Sequence, residues 1–261
     1  MTRTITALLA LILALGLAGC GSDADPVDDE ANTAAETEGT ETEATDTDGT
    51  EAEEGESEGG DDPGDASSGS STFVAEVWAD NWFALYANGQ LVGEDSVPIT
   101  TERSFNAETI TFEATYPLTL AIEAKDFKET DSGIEYIGER NQQMGDGGLI
   151  AQITDTATGE VIAVTDGNWS ALVIHRAPLN TECVTDDDPD ATCTFEAGDA
   201  PTGWADPDFD DSAWTSATEW SADAVDPKDG YDQISWDGTA QLIWGSDLEV
   251  DNTVLVRLSV P

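Results

Sequence analysis

The sequence predicts an all-β fold, built as two packed sheets, over residues 73–261. Three observations carry this. Short runs rich in β-branched and aromatic residues recur along the stretch, and turn residues separate them. No segment keeps a helical apolar period for a dozen residues without Gly, Pro or β-branched interruption.

The elements follow in order. Phe73-Val74-Ala75-Glu76-Val77-Trp78 is the first strand, and residues 82–86 are the second. Asn88-Gly89 is a type I′ hairpin dipeptide, since both central positions of that turn need positive φ. It leads into Gln90-Leu91-Val92. Residues 109–113 alternate polar and apolar side chains, as a half-buried strand must. Residues 118–122 do the same after Pro117, and 149–153 and 160–164 flank a turn ending at Gly159. Residues 171–174 form another run, and 253–260 complete the series. Strands of this kind hide their apolar faces by packing sheet against sheet.

Charge divides the chain. It holds 56 acidic and 8 basic residues, a formal net charge of −48. That sign excludes a binder of nucleic-acid phosphates. Residues 21–72 carry 19 acidic and no basic side chains, with Val27 as the one large apolar residue. Such a tract cannot bury enough surface to offset its ordering entropy, so a disordered acidic linker is expected. Like charges extend it beyond the roughly 40 Å of a flexible chain of that length. Residues 73–261 hold 37 acidic and 7 basic residues, a net of −30. A surface adapted to high salt and divalent cations spread over the surface are both open explanations.

Residues 7–18 are apolar and follow Arg3. As a helix they would span about 18 Å against a hydrocarbon core of about 30 Å, which fits a signal peptide better than a membrane span. The segment ends in Leu17-Ala18-Gly19-Cys20, which resembles the lipobox of bacterial lipoproteins. The resemblance implies a signal peptide over 1–20, cleavage before Cys20, and a diacylglycerol thioether on that cysteine. Two or more acyl chains suffice for stable anchoring. Gly21 rather than Asp resembles the sorting signal for the outer membrane of diderm bacteria. The implied location is the cell envelope, with the membrane as a partner through Cys20. Ordinary secretion is the alternative.

Four motifs in order resemble the galactose-binding-domain-like jelly rolls found as accessory β-domains of α-L-rhamnosidases and related glycosidases. They are Phe83-Ala84-Leu85-Tyr86-Ala87-Asn88-Gly89-Gln90-Leu91-Val92-Gly93, and residues 149–153 followed by Thr165-Asp166-Gly167-Asn168-Trp169. Gly203-Trp204 with Phe209-Asp210-Asp211-Ser212-Ala213-Trp214 is the third, and Ile243-Trp244 with Val254-Leu255-Val256-Arg257 the fourth. The resemblance implies a two-sheet jelly-roll sandwich. Those glycosidases carry a separate catalytic domain for which this chain has no room, so nothing carries over as catalytic. The insert at 180–198 has no counterpart in the pattern.

Cys183 and Cys193 enclose nine residues, and export permits their oxidation to a disulfide. Two free thiols are the alternative. Asp206, Asp208 and Asp210, with Asp211, offer hard oxygen ligands that suit calcium; the other reading is a turn in which carboxylates accept backbone N–H groups. Asp186, Asp187, Asp188 and Asp190 read as a solvated loop. Asp80, Asn81 and Trp82 combine an indole with polar groups, the chemistry of sugar stacking and hydroxyl recognition, as do Arg140, Asn141 and Gln143 as polar partners. A tryptophan on a strand is more often a core residue, and Asp80-Asn81 also reads as a turn before the strand. His175, the one histidine, has no evident nucleophile beside it and reads as structural. The expectation is a non-catalytic binding module for a glycan, with calcium as an open question. A structural or adhesive lipoprotein that binds an envelope protein is the alternative, and a glycoside hydrolase using paired carboxylates the least favoured.

Overall fold

A computed structural model describes residues 69–100 and 106–261. The expected signal peptide, Cys20 and nearly all of the acidic linker lie outside the described residues. β1 (Ser71–Asp80), β2 (Trp82–Ala87), β3 (Gln90–Glu94), β4 (Ala107–Ala114) and β5 (Leu118–Lys125) come first. A short hairpin follows, of β6 (Ile134–Glu135) and β7 (Gln143–Met144). β8 (Gly148–Asp155), β9 (Val161–Val164) and β10 (Ser170–Arg176) are longer. Helix α1 (Pro189–Thr192), β11 (Glu196–Ala197), β12 (Thr215–Ser216), β13 (Thr218–Trp220) and helix α2 (Ala222–Val225) are brief. β14 (Leu242–Trp244) and β15 (Asp251–Val260) complete the fold.

Two antiparallel sheets result. One runs β13-β14-β8-β1-β4, with β9 also on β8; the other runs β11-β10-β15-β5-β2-β3, with β12 also on β10. β1 is central because both its edges are paired, from Ser71↔Ala114 to Trp78↔Ala107 on one side and Phe73↔Asp155 to Asp80↔Gly148 on the other. The fold is therefore all-β, as the alternation predicts.

One apolar cluster joins the sheets. Phe73, Ala75 and Val77 of β1 share it with Phe83 and Leu85 of β2, Leu120 and Ile122 of β5, and Val254 and Val256 of β15. Residues at period two on each strand supply it. Each such large side chain, fully removed from water, contributes about 1.5–3 kcal/mol. The β2–β3 turn has φ of 49° at Asn88 and 81° at Gly89, as the dipeptide requires. The Asn88 side chain accepts from Thr119 N at 2.7 Å and donates to Thr115 O at 2.8 Å, tying the turn to β5.

The intervening residues of the second sheet point away from this core. Half of that outer face is covered. Trp204, Ala205, Phe209 and Trp214 pack on Tyr86, Ala121, Leu172 and Leu255. Arg257, 3% exposed, pins the covering turn: it donates to Asp206 O at 3.0 Å and Phe209 O at 3.5 Å. Its guanidinium carbon lies 5.1 Å from the centre of the Phe209 ring.

β1 begins at Ser71, two residues before the first apolar run, because Ser71 and Thr72 continue the ladder to β4 without needing burial. Among the described residues no helix is long and apolar enough to cross a membrane.

Candidate functional site

The described residues leave the other part of the outer face open. There β5, β10 and β15, with the segment leaving β5, surround a cavity of about 660 Å³. Glu123 and Lys125 line it from β5, Thr253 from β15 and His175 from β10, while Lys128 and Glu129 form a wall. The register between β10 and β15 shifts on both sides of His175, a bulge of the kind that re-aims one side chain.

Each lysine of the cavity is paired with a carboxylate. Lys125 Nζ lies 3.0 Å from Glu123 Oε1, and Lys128 Nζ lies 2.7 Å from Asp131 Oδ1. That second contact holds the Asp131 carboxyl below its ordinary range. His175 Nδ1 is 2.9 Å from Asn252 Oδ1, and its Nε2 is 3.5 Å from Asp131 Oδ1. Burial, then the nearby Lys128 charge, push the His175 pKa down, so the ring is neutral at pH 7. Asp126, 2% exposed, lies at the base of the cavity. Burial, then the charges of Glu135, Asp80 and Asp146, raise its carboxyl well above the usual range; the Asn252 amide at 3.5 Å opposes them.

The insert at 180–198 builds one rim. Cys183 and Cys193 form a disulfide and pack with Ile134. Asp190 accepts from the Thr130 hydroxyl, and Leu179 N donates to Thr194 O at 2.8 Å. These contacts present Phe195, 47% exposed, with its ring stacked 5.9 Å from His175. Phe195 and Asp131 in turn line a neighbouring concavity of about 240 Å³.

The residues singled out from the sequence are not brought together. Asp80 and Asn81 are buried. Asn81 Oδ1 accepts from Phe127 N at 2.5 Å, and Asn81 N donates to Lys125 O at 2.8 Å, so Asn81 fixes the path of the cavity wall. Trp82 is half-buried on the outer face, and Lys125 Nζ sits 4.6 Å over its ring. Arg140, Asn141 and Gln143 are exposed around the β6–β7 hairpin, where Gln143 donates to Glu135 Oε2 at 3.1 Å; none of the three lines the cavity.

Asp206, Asp208 and Asp210 lie on the covering turn and are exposed. Asp210 accepts from Ser212 N at 3.1 Å, and Asp211 Oδ2 lies 3.7 Å from Arg257 Nε. The Asp206 carboxylate fits against Gly89, where a Cβ would come within 2.3 Å of it. Among the described residues no group of three or more His, Cys, Asp or Glu side chains is placed to hold a metal ion. Trp78, Trp169 and Trp244 are core residues.

Lys125, Lys128, His175 and Phe195 were not singled out as site residues by the sequence reading. One signal was available for the first two: two of the three lysines stand three residues apart in a strongly acidic chain. Phe195 carried no local signal. Chemically, the cavity offers ammonium donors and carboxylate acceptors side by side, with an aromatic face at the rim. His175 contacts Asn252, Asp131 and Phe195. Comparison of the chain with family models, curated proteins and solved structures found no match.

Proposed function

We propose that this protein is a non-catalytic lipoprotein of the cell envelope that holds carbohydrate in the outer-face cavity. The observation that carries the reading is the cavity of about 660 Å³ with an exposed aromatic ring beside it. An aromatic face stacks on the C–H surface of a sugar ring, while paired ammonium and carboxylate groups suit hydroxyls, which both donate and accept. The two-sheet order and the Asn88-Gly89 hairpin support the finer assignment, a galactose-binding-like jelly roll. The lipobox resemblance at Cys20 and the acidic tract support a tethered module.

A glycan array probed with the purified protein tests binding, with Phe195→Ala as the site control. Retention that the substitution abolishes supports the reading; no retention by any glycan overturns it. Mass spectrometry of the mature amino terminus tests the anchor. A diacylated Cys20 is expected, and an unmodified terminus free in the medium would refute it. One observation favours the alternative of a protein partner: Leu179 and Phe195 are both exposed, at 41% and 47%. Crosslinking in cells that recovers one reproducible envelope protein through Phe195 would establish it.

A further inference from the structure

We infer that the saccharide bound in the outer-face cavity carries a carboxylate, as uronic acids do, and that Lys128 and Lys125 receive it. The inference rests on the carbohydrate reading and names its ligand class.

The described surface carries further concavities. One is lined by Asp166 and Asp237, another by Asp131 and Asp190, a third by Asp146 and Glu249, and none of these three contains a basic residue. The cavity on the second sheet gathers two of the chain's three lysines and its one histidine. In a segment of net charge −30 that is a marked local exception. Those three concavities present an anionic ligand with carboxylates and no lining ammonium group; here Lys125 and Lys128 stand beside Glu123 and Glu129. Charge beyond about 8 Å is screened at physiological salt, so these local groups decide whether an anion is tolerated.

Both lysines keep donor capacity. An ammonium has three N–H groups. Among the described residues the carboxylate contact of Lys125 is with Glu123, and that of Lys128 is with Asp131. Glu123 and Asp131 hold the ammonium groups in place and leave donors for a ligand. Of the other lining acids, Asp126 has its carboxyl raised by burial and is 2% exposed, so it opposes an incoming anion less than its formal charge implies, while Glu129 Oε1 is engaged by Ile137 N at 2.7 Å. Asp126 Oδ1 is buried without a hydrogen-bond partner, as a protonated or weakly charged oxygen tolerates. Phe195 supplies the apolar contact that every pyranose can use, whatever its charge.

The test is calorimetric titration of the full protein with two sets of probes. One set is acidic: trigalacturonate, a guluronate trisaccharide and a hyaluronan tetrasaccharide. The other is neutral: galactotriose, maltotriose and cellotriose. The inference expects at least one acidic probe to bind at least tenfold tighter than any neutral one. Lys128→Gln then weakens that probe at least tenfold, while Lys128→Arg, which keeps the charge, restores most of it. Exposed Arg140→Gln, outside the cavity, leaves binding unchanged. Neutral probes that bind as tightly, or acidic binding indifferent to Lys128→Gln, overturn the ligand class. If neutral binding is still lost in Phe195→Ala, the carbohydrate reading survives that result. If no probe of either set binds, both readings fall.

Discussion

Replacing Cys183 and Cys193 together by alanine removes the covalent closure of the insert that carries Phe195. Alanine is preferred to serine because Cys183 is 1% exposed among Ile134, Ile137 and Val184, where a hydroxyl would be buried. The bridge spans a sequence separation of 10. In the chain-entropy model a loop of this size restricts the unfolded chain by about 2.7 kcal/mol at 25 °C. With a urea m-value of about 2 kcal/mol per M, the unfolding midpoint falls by about 1.3 M. The assay is equilibrium urea unfolding followed by tryptophan fluorescence. Wild type treated with a reductant should move by a similar amount, since it loses the same closure. The functional consequence follows from position: Phe195 stands two residues beyond Cys193, so any glycan affinity that depends on its ring should weaken as well. A midpoint shift below about 0.3 M would refute the reasoning, because the insert would then be held by its other contacts alone.

Asp95 gives a pH prediction. Burial, first, raises its carboxyl to about 6, with a smaller contribution from Glu108; the Val97 N–H and the Asn106 amide oppose the rise. The folded state thus binds this proton more tightly than the unfolded chain. Its contribution is fully present below about pH 4 and is lost as pH rises through about 6. Asp95→Asn should remove that slope and gain about 1–2 kcal/mol over wild type at pH 7.5 relative to pH 4, allowing for solvent screening. Parallel urea curves at the two pH values check it, and an unchanged difference would contradict it. Arg257→Met leaves the Asp206 and Phe209 carbonyls without their shared donor and should cost about 2–4 kcal/mol. Thermal unfolding and near-ultraviolet dichroism from Trp204 and Trp214 would report it, and a wild-type melting temperature would show that the turn holds itself. Gly89→Ala places a methyl group 2.3 Å from Asp206 Oδ1 at a φ of 81° and should cost about 1–2 kcal/mol in the same melt, whereas no loss would mean the hairpin adjusts freely.

The long strands were legible because their apolar residues alternate, as in residues 109–113 and 118–122, and the hairpin because Asn88-Gly89 has few other uses. β6, β7 and β11 through β14 were not, since two or three residues hold no period. The site was less legible for a different reason. Asp80-Asn81-Trp82 reads locally as a polar loop beside an indole, yet β1 runs on through Asp80, and the partner that buries Asn81, Phe127, comes from 46 residues away. The disulfide could be read from export and cysteine number, but its consequence could not. Only the fold shows that the insert brings Phe195 onto His175, a contact between residues 20 apart.

In the proposed function, binding takes place on the open part of the second sheet's outer face. Amide shift mapping of the protein titrated with a retained glycan tests it most directly. Perturbed signals are expected at residues 123–129, 175 and 195–198, with little change elsewhere. Perturbation confined to the β6–β7 hairpin around Arg140, or to the turn at residues 206–211, would place the ligand at another surface and contradict it.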